Sequence, residues 1–587
     1  MKGWFFPVVL AGAALSLCTL AIAQDPAPSS DPLFRAMRDE IQRSRTLTIP
    51  NLESPYYVEY EIDEQETFSV SASLGGLLSR RRERVRLPSV YVRVGDYKFD
   101  NSNFFGGGGG GSHYDLGAFP VEDSYPVFRR YFWLETDSIY KNAVEALSRK
   151  RAAFRNINES DKIDDFAHAE PLHFIRDIKP LAVDENAWAN RVRSLSAIFE
   201  KFPEVQASLV DLEVTEGGHY LENSEGSEVK TPESVTQLRA RASAKAPDGS
   251  TVRDFAFFPV LSPAAMPSDA DLTRDVTAVA QNLVALAHAP KGEEYNGPVL
   301  FEGQASAQLF AQLIGENLTV SRRPDGARGG SPPQGELEGR MGARILPDTF
   351  DVVDDPSMKQ YKGHTLFGSY EVDREGVPAK PLHVIEKGVL KNYLLTRQPV
   401  KGFEGSNGRA RYPGNAGASM AGISNLIVTA SETVPTADLK KKLIEMLQAR
   451  SKPYGIIVRK LDFPSTASTD EARRIIMTQQ GTAHPVSVPL LVYKVFADGH
   501  EELVRGMEFH GLNARSLRDI LAAGDDNYGF DFMDSPAVLD LIGLASFTME
   551  ASVVAPSILI DDLDLRPVDN DQAARLPVVP PPEMSRQ

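Results

Sequence analysis

Residues 298–318 read PVLFEGQASAQLFAQLIGENL, and the organisation of the whole chain turns on them. Pro298 to Phe301 is a short apolar run of the kind that forms a buried strand, and Gly303 opens a helix expected to reach about Leu318. Along that helix Gln304, Gln308, Gln312 and Glu316 recur every four residues and so share one side. Leu309, Phe310, Leu313 and Ile314 form its apolar face, which reads most simply as an amphipathic helix with a wet side. Just upstream, Lys291-Gly292-Glu293-Glu294 reads as a linker after a strongly amphipathic helix at Leu272–His288. The main boundary therefore falls here, between a domain at 24–290 and a second at 296–566.

Working back from the boundary, Leu33–Arg45 reads as a helix with Asp31 as cap and Pro32 at its first position. Strand signals follow from Pro55, and Val90, Val92 and Val94 alternate with Tyr91 and Arg93 as a half-buried strand requires. Arg80-Arg81-Arg82-Glu83-Arg84 reads as a solvated strand end or turn. Gly106–Gly111 lacks the Gly-Lys-Ser/Thr ending of a phosphate cradle and reads as a flexible surface loop. Helices are expected at Ser138–Ala153 and Glu185–Lys201, then strands at Val205–Val214, His219–Glu222 and Val235–Ala244. Working forward, a polar stretch at Arg322–Arg340 reads as a long mobile loop. Strands then dominate, with a helix at Thr436–Ser451, a short one near Arg515–Ala523, and a disordered Pro-rich tail at 567–587. The class is α+β: two domains, the first mixed and the second strand-rich.

Four short motifs follow the 298–318 stretch in order. They are Asp351-Val352-Val353-Asp354-Asp355-Pro356, Asp373-Arg374-Glu375-Gly376-Val377-Pro378, Val384-Ile385-Glu386-Lys387-Gly388-Val389-Leu390, and Ser424-Asn425-Leu426. Each is weak alone; their order across Pro298–Val428 resembles the TldD/PmbA family of metallopeptidase-related proteins. The resemblance implies a two-domain subunit pairing around an enclosed cavity, as a homodimer or as a heterodimer with a TldD-like subunit. It also implies a peptide or unfolded-protein substrate lying extended and held by its main chain.

Catalytic members of that family carry His-Glu-x-x-x-His on the helix after the boundary, two zinc ligands and a water-activating base. Matching Gly315 to the glycine before the second histidine puts Ala311, Gln312 and Glu316 in the three slots. Ala311 cannot ligate a metal, Gln312 cannot act as a base, and Glu316 would stand alone. The resemblance therefore implies a PmbA-like chain with no catalytic or metal residues of its own, zinc being expected only in a motif-bearing partner. Gln308, Gln312 and Glu316 remain as candidates for lining the peptide cavity. Two rival readings are an active metallopeptidase with an unorthodox site (Glu316 with His364 or His383) and an envelope peptide-binding protein without chemistry.

Other constellations carry less. His168 and His173 flank Pro171, which argues against a helix presenting both rings, and they read as surface or loop residues. His500 and His510 lie near hairpin strands without a pattern that demands a site. No Gly-x-Ser-x-Gly is present, and the Asp354-Asp355 and Asp561-Asp562 pairs read as turn or strand-end residues rather than calcium ligands. A net charge of −17 argues against nucleic acid as a partner. Lys2, the apolar run Trp4–Leu20 and Ala21-Ile22-Ala23 read as a signal peptide over residues 1–23, cleaved before Gln24 rather than kept as an anchor. The expected location is thus periplasmic or extracellular. Cys18 is the only cysteine, so the mature chain would have neither disulfides nor thiolate ligands and no membrane span.

Overall fold

The computed structural model describes residues 31–47, 50, 52–104, 119–155, 163–324, 335–414, 419–466, 486–535 and 548–568. Residues 1–23, read above as a signal peptide, the glycine run and most of the tail lie outside them, as does the centre of the 322–340 stretch.

Helix α1 (Pro32–Ser44) starts as its sequence requires, Asp31 accepting from the Leu33 amide and Pro32 filling the first turn. Strands β1 (Pro55–Ser73) and β2 (Gly76–Val94) form one long antiparallel hairpin. The strand signals that begin at Pro55 thus belong to two long strands, and the arginine run lies within β2, not at an end or turn. Helix α2 spans Tyr125–Phe154, well beyond the expected start at Ser138. After β3 (His173–Ile175) and α3 (Glu185–Ser196) come β4 (Val205–Asn223), β5 (Glu228–Lys245), β6 (Thr251–Val260) and α4 (Asp269–His288). The sheet order is β2-β1-β4-β5-β3, with β6 also pairing β5.

Alternation along β1 assigns the two faces of this sheet. Val58, Tyr60 and Ile62 pack under α1 and α2, and Phe68, Val70 and Ala72 pack with α3 and α4. The intervening Glu59, Glu61 and Asp63 project from the other face, where the second domain lies, and all three are buried.

The second domain opens with β7 (Tyr295–Phe301) and α5 (Gln304–Leu313). It continues through β8 (Phe350–Asp354), the short β9 (Gln360–Tyr361) and β10 (His364–Thr365), β11 (Leu382–Glu386), β12 (Val389–Leu390), β13 (Ala410–Tyr412), β14 (Met420–Ala421) and β15 (Asn425–Ala430). Helix α6 (Thr436–Ala449) precedes β16 (Tyr454–Leu461), β17 (Pro489–Phe496), β18 (Glu501–Val504), β19 (Met507–His510), β20 (Ile520–Ala523), β21 (Tyr528–Asp534), β22 (Met549–Ala555) and β23 (Ile558–Pro567). Among the described residues two large sheets result, ordered β12-β11-β8-β15-β22-β21 and β18-β17-β16-β7-β23-β19, with β20 also on β23, beside the two-stranded pairs β9–β10 and β13–β14. Helix α5 packs against β16 of one and β21 and β22 of the other, within the domain's largest apolar cluster. Helix α6 covers the opposite face of the β7–β16 sheet through Leu439 and Leu443. Among the described residues no helix is long and apolar enough to cross a membrane.

Candidate functional site

Position between two sheets explains what becomes of the polar stripe. Gln308 and Gln312 are buried, at 0% and 3% exposure, so the middle of the expected wet side is enclosed, while Gln304 and Glu316 at its ends stay half-buried. A buried amide must find partners, and both do so on main chain arriving from far along the sequence. Gln308 Oε1 accepts from the Leu461 amide at 2.8 Å. Gln312 Oε1 accepts from the Ser487 amide at 2.9 Å and from Ser487 Oγ at 3.0 Å, while its Nε2 donates to the Gln308 carbonyl at 3.2 Å. Ala311, also buried, belongs to the apolar cluster. The helix ends at Leu313, short of the expected Leu318, and Gly315–Asn317 form a 3₁₀ turn tied back by Asn317 Nδ2 donating to the Leu313 carbonyl at 3.1 Å.

Glu316 therefore leaves the helix axis. It is half-buried, and desolvation together with the charge of Asp534 pushes its carboxyl up to about 8. Burial likewise raises Asp534, which accepts from Tyr412 Oη at 2.6 Å. Glu316 thus keeps its proton at neutral pH. Among the described residues no group of three or more His, Cys, Asp or Glu side chains is placed to hold a metal ion. The donor set on the helix does not fit zinc either, offering a methyl group, a committed amide and one acid. The histidines of the unorthodox site do not converge with it: His383 is exposed on β11, and His364 pairs with Asp531.

The four motifs prove to be fastenings. Asp354 is the strand-end residue of the alternatives read, closing β8, and at 0% exposure it meets the equally buried Arg409, Nε to Oδ2, at 2.5 Å. Lys387 and Gly388 both have positive φ (47° and 73°), the two-residue hairpin between β11 and β12. A Cβ on Gly388 would lie 2.1 Å from the Leu346 carbonyl oxygen, so only glycine fits. The Asn425 side chain accepts from the Gly368 amide and donates to the carbonyls of Asp355 and Met358. Arg374 reaches across to the first domain. Its guanidinium forks onto Asp63 at 2.8 and 2.9 Å and touches Glu61 at 3.0 Å, and His219 Nδ1 lies 2.9 Å from the same Asp63.

Two cavities lie between the domains. One, about 580 Å³, is bordered by His219, Glu233, Tyr370, Arg374, Arg411 and Glu550. Burial, Asp63 and Glu550 together raise the Glu233 carboxyl to about 7. The other, about 600 Å³, runs between β6 with α4 and β21, with Gln304, His364 and Lys460 on its wall. There His364 Nε2 lies 2.9 Å from Asp531 Oδ2, and Asp531 Oδ1 accepts from Ser552 Oγ at 2.6 Å. The pairing with Asp531 raises the imidazole's affinity for a proton. Gly529 makes room for the ring, since a Cβ there would stand 2.3 Å from His364 Cδ2. Sequence reading named His364 but could not find Asp531, 167 residues on, because no local pattern joins them.

Comparison with known proteins agrees with this architecture. Residues 293–468 match the PmbA/TldA metallopeptidase C-terminal domain. A protein named "Metalloprotease" from Archaeoglobus fulgidus is 33% identical over 78 residues, which are 13% of this chain and 17% of that protein's length. TldE from Thermococcus kodakarensis has a similar fold, with a TM-score of 0.57 at 13% identity over 90% of this chain and 99% of the other. A proposed modulator of DNA gyrase from Thermotoga maritima gives 0.54 at 16% identity over 87% and 96%. Fold and site together define a two-domain, metallopeptidase-related α+β protein. Residues 293–468 relate it to the TldD/PmbA family, and its fold throughout is similar to that of TldE.

Proposed function

We propose that this chain is an exported, non-catalytic TldD/PmbA-family subunit that pairs with a zinc-bearing TldD-like subunit and helps hold extended peptides or unfolded chains. The observation that carries the reading is the helix after the boundary. Two of its three zinc-motif slots are Ala311 and Gln312, both buried, and the Gln312 carboxamide oxygen is taken by Ser487. A helix locked in this way stabilises a fold; it does not activate water. Support for an extended ligand comes from the larger cavity, where β6 and β21 stand opposite each other. Among the described residues β6 pairs only with β5 and β21 only with β22, so each offers an open edge on which a peptide main chain can add.

Elemental mass spectrometry of chelator-free protein tests the zinc part, the expected result being no stoichiometric zinc. About one zinc per chain would overturn it. The partner part is tested by mixing the chain with a TldD-like subunit carrying His-Glu-x-x-x-His: a stable complex, with peptidase activity that needs both, is expected. A chain that ignores every such subunit would sink the pairing. Fractionation of producing cells tests export, the expected product starting near Gln24.

A further inference from the structure

We infer that the outer edge of β2 is a self-association surface on which a second copy of this chain pairs antiparallel about a two-fold axis at Arg82. It is independent of the peptidase-related reading above. Strand β2 ends its sheet, and among the described residues nothing pairs with its outer side. From Gly76 to Val85 the strand is exposed apart from the half-buried Ser79, with Leu77, Leu78 and Val85 at 36%, 62% and 39%. Long uncovered edges invite strand addition and are normally blunted by unpaired charges, a bulge, a proline or a cover; the charges on this edge are of both signs, and three of its arginines are already paired with carboxylates.

Proline orients the edge. Pro88 sits opposite Ile62 of β1 and has no N–H to give, so its nitrogen faces away from β1. Pairing is regular from Ser79 to Arg93, and main-chain groups alternate between the two sides of a strand. Arg80, Arg82, Arg84 and Arg86 therefore present their N–H and C=O groups outward, up to the stop at Pro88.

Charge selects the register. Arg81 and Glu83 are exposed, and their opposite neighbours on β1 are the neutral Ser69 and Thr67. An axis at Arg82 sets Arg81 against Glu83 of the second copy, twice by symmetry; an axis at Arg81 or at Glu83 would instead place like charges together. On the other face Arg80 is held by Glu185, Arg82 by Glu66 and Glu185, and Arg84 by Glu64, so these arginines arrive already neutralised. The same pairing leaves them poorly placed for an anionic membrane, despite the leucines at the hairpin tip. The Arg80–Arg84 and Arg82–Arg82 oppositions give about six main-chain hydrogen bonds, two for each opposed pair.

Sedimentation velocity on the chain from Gln24 onward should show a concentration-dependent dimer. Arg81→Glu and Glu83→Arg should each raise its dissociation constant at least tenfold. An equimolar mixture of the two, and the double variant, should both recover the wild-type value, because each restores opposite charges in this register. Arg82→Cys, in a sequence whose only cysteine is Cys18, should give a disulfide-linked dimer under mild oxidation. A wild-type monomer at every concentration would overturn the inference, as would a dimer indifferent to the single variants. Flotation of a monomeric chain with phosphatidylglycerol vesicles would assign the hairpin tip to a membrane instead.

Discussion

Glu316 is the residue whose behaviour most directly tests the altered site. Its carboxyl is raised to about 8 by burial and by Asp534. A carboxyl raised in the fold favours folding while protonated, and that contribution is lost as pH rises from the ordinary carboxylate range through the raised value. Wild-type stability should therefore fall between about pH 5 and 8 relative to Glu316→Gln, by on the order of 3 kcal/mol. Calorimetric melting of both proteins across that range checks it; parallel curves would mean that Glu316 ionises freely. Arg409 presents the opposite case, a cation buried against Asp354. Arg409→Ala leaves that carboxylate without its counter-charge and should cost about 3–5 kcal/mol, read as a lower denaturation midpoint.

At the scale of elements, α5 shows what the sequence does and does not disclose. Its period and its start after Gly303 were legible. The burial of its polar stripe was not, because the groups that satisfy it come from Leu461 and Ser487, beyond 150 residues away. Gln312→Ala should strand the Ser487 amide in the core and cost about 1–3 kcal/mol. Faster hydrogen exchange at Ser487, with little change elsewhere on α5, would be its signature, and unchanged exchange would remove the amide's role as a latch. The same non-locality explains the other corrections. The arginine run looks like a solvated end until β1 and α3 bring Glu64, Glu66 and Glu185 beside it. Asp354 ends its strand as read, but its partner Arg409, 55 residues on, was not legible. By contrast, α1 was readable almost to the residue, since its cap, its proline and its apolar period are all local.

At the scale of the molecule, the two domains are joined through charge. One wall is Glu59, Glu61 and Asp63 of β1; the other is Asp373, Arg374 and Glu375 of the second motif. Burial raises Glu59 and Glu375 to about 7 and Asp373 to about 6. Their contribution is complete below the ordinary carboxylate range and drains away as pH rises toward 7. Asp63 behaves oppositely: against the cost of burial, Arg374 and His219 hold it far below that range, so its contribution is lost only in strong acid. His219, kept neutral by burial and by Arg374, adds stability above its ordinary 6.5 that is lost as pH falls below it. With four raised acids (Glu59, Glu61, Asp373 and Glu375) against one histidine, the domain junction should be strongest near the ordinary carboxylate range, about pH 4, and weaker at pH 8. Arg374→Ala removes the fork that offsets Asp63 and Glu61 and should cost about 3–5 kcal/mol. Arg374→Lys should recover only part of it, because an ammonium cannot reproduce a bidentate guanidinium. Scanning calorimetry over a pH series decides the matter: the variant should split one transition into two, its acid-side loss beginning at higher pH as Asp63 regains an ordinary affinity for protons. A single, unshifted transition in Arg374→Ala would show that apolar packing, not this buried charge, holds the two domains together.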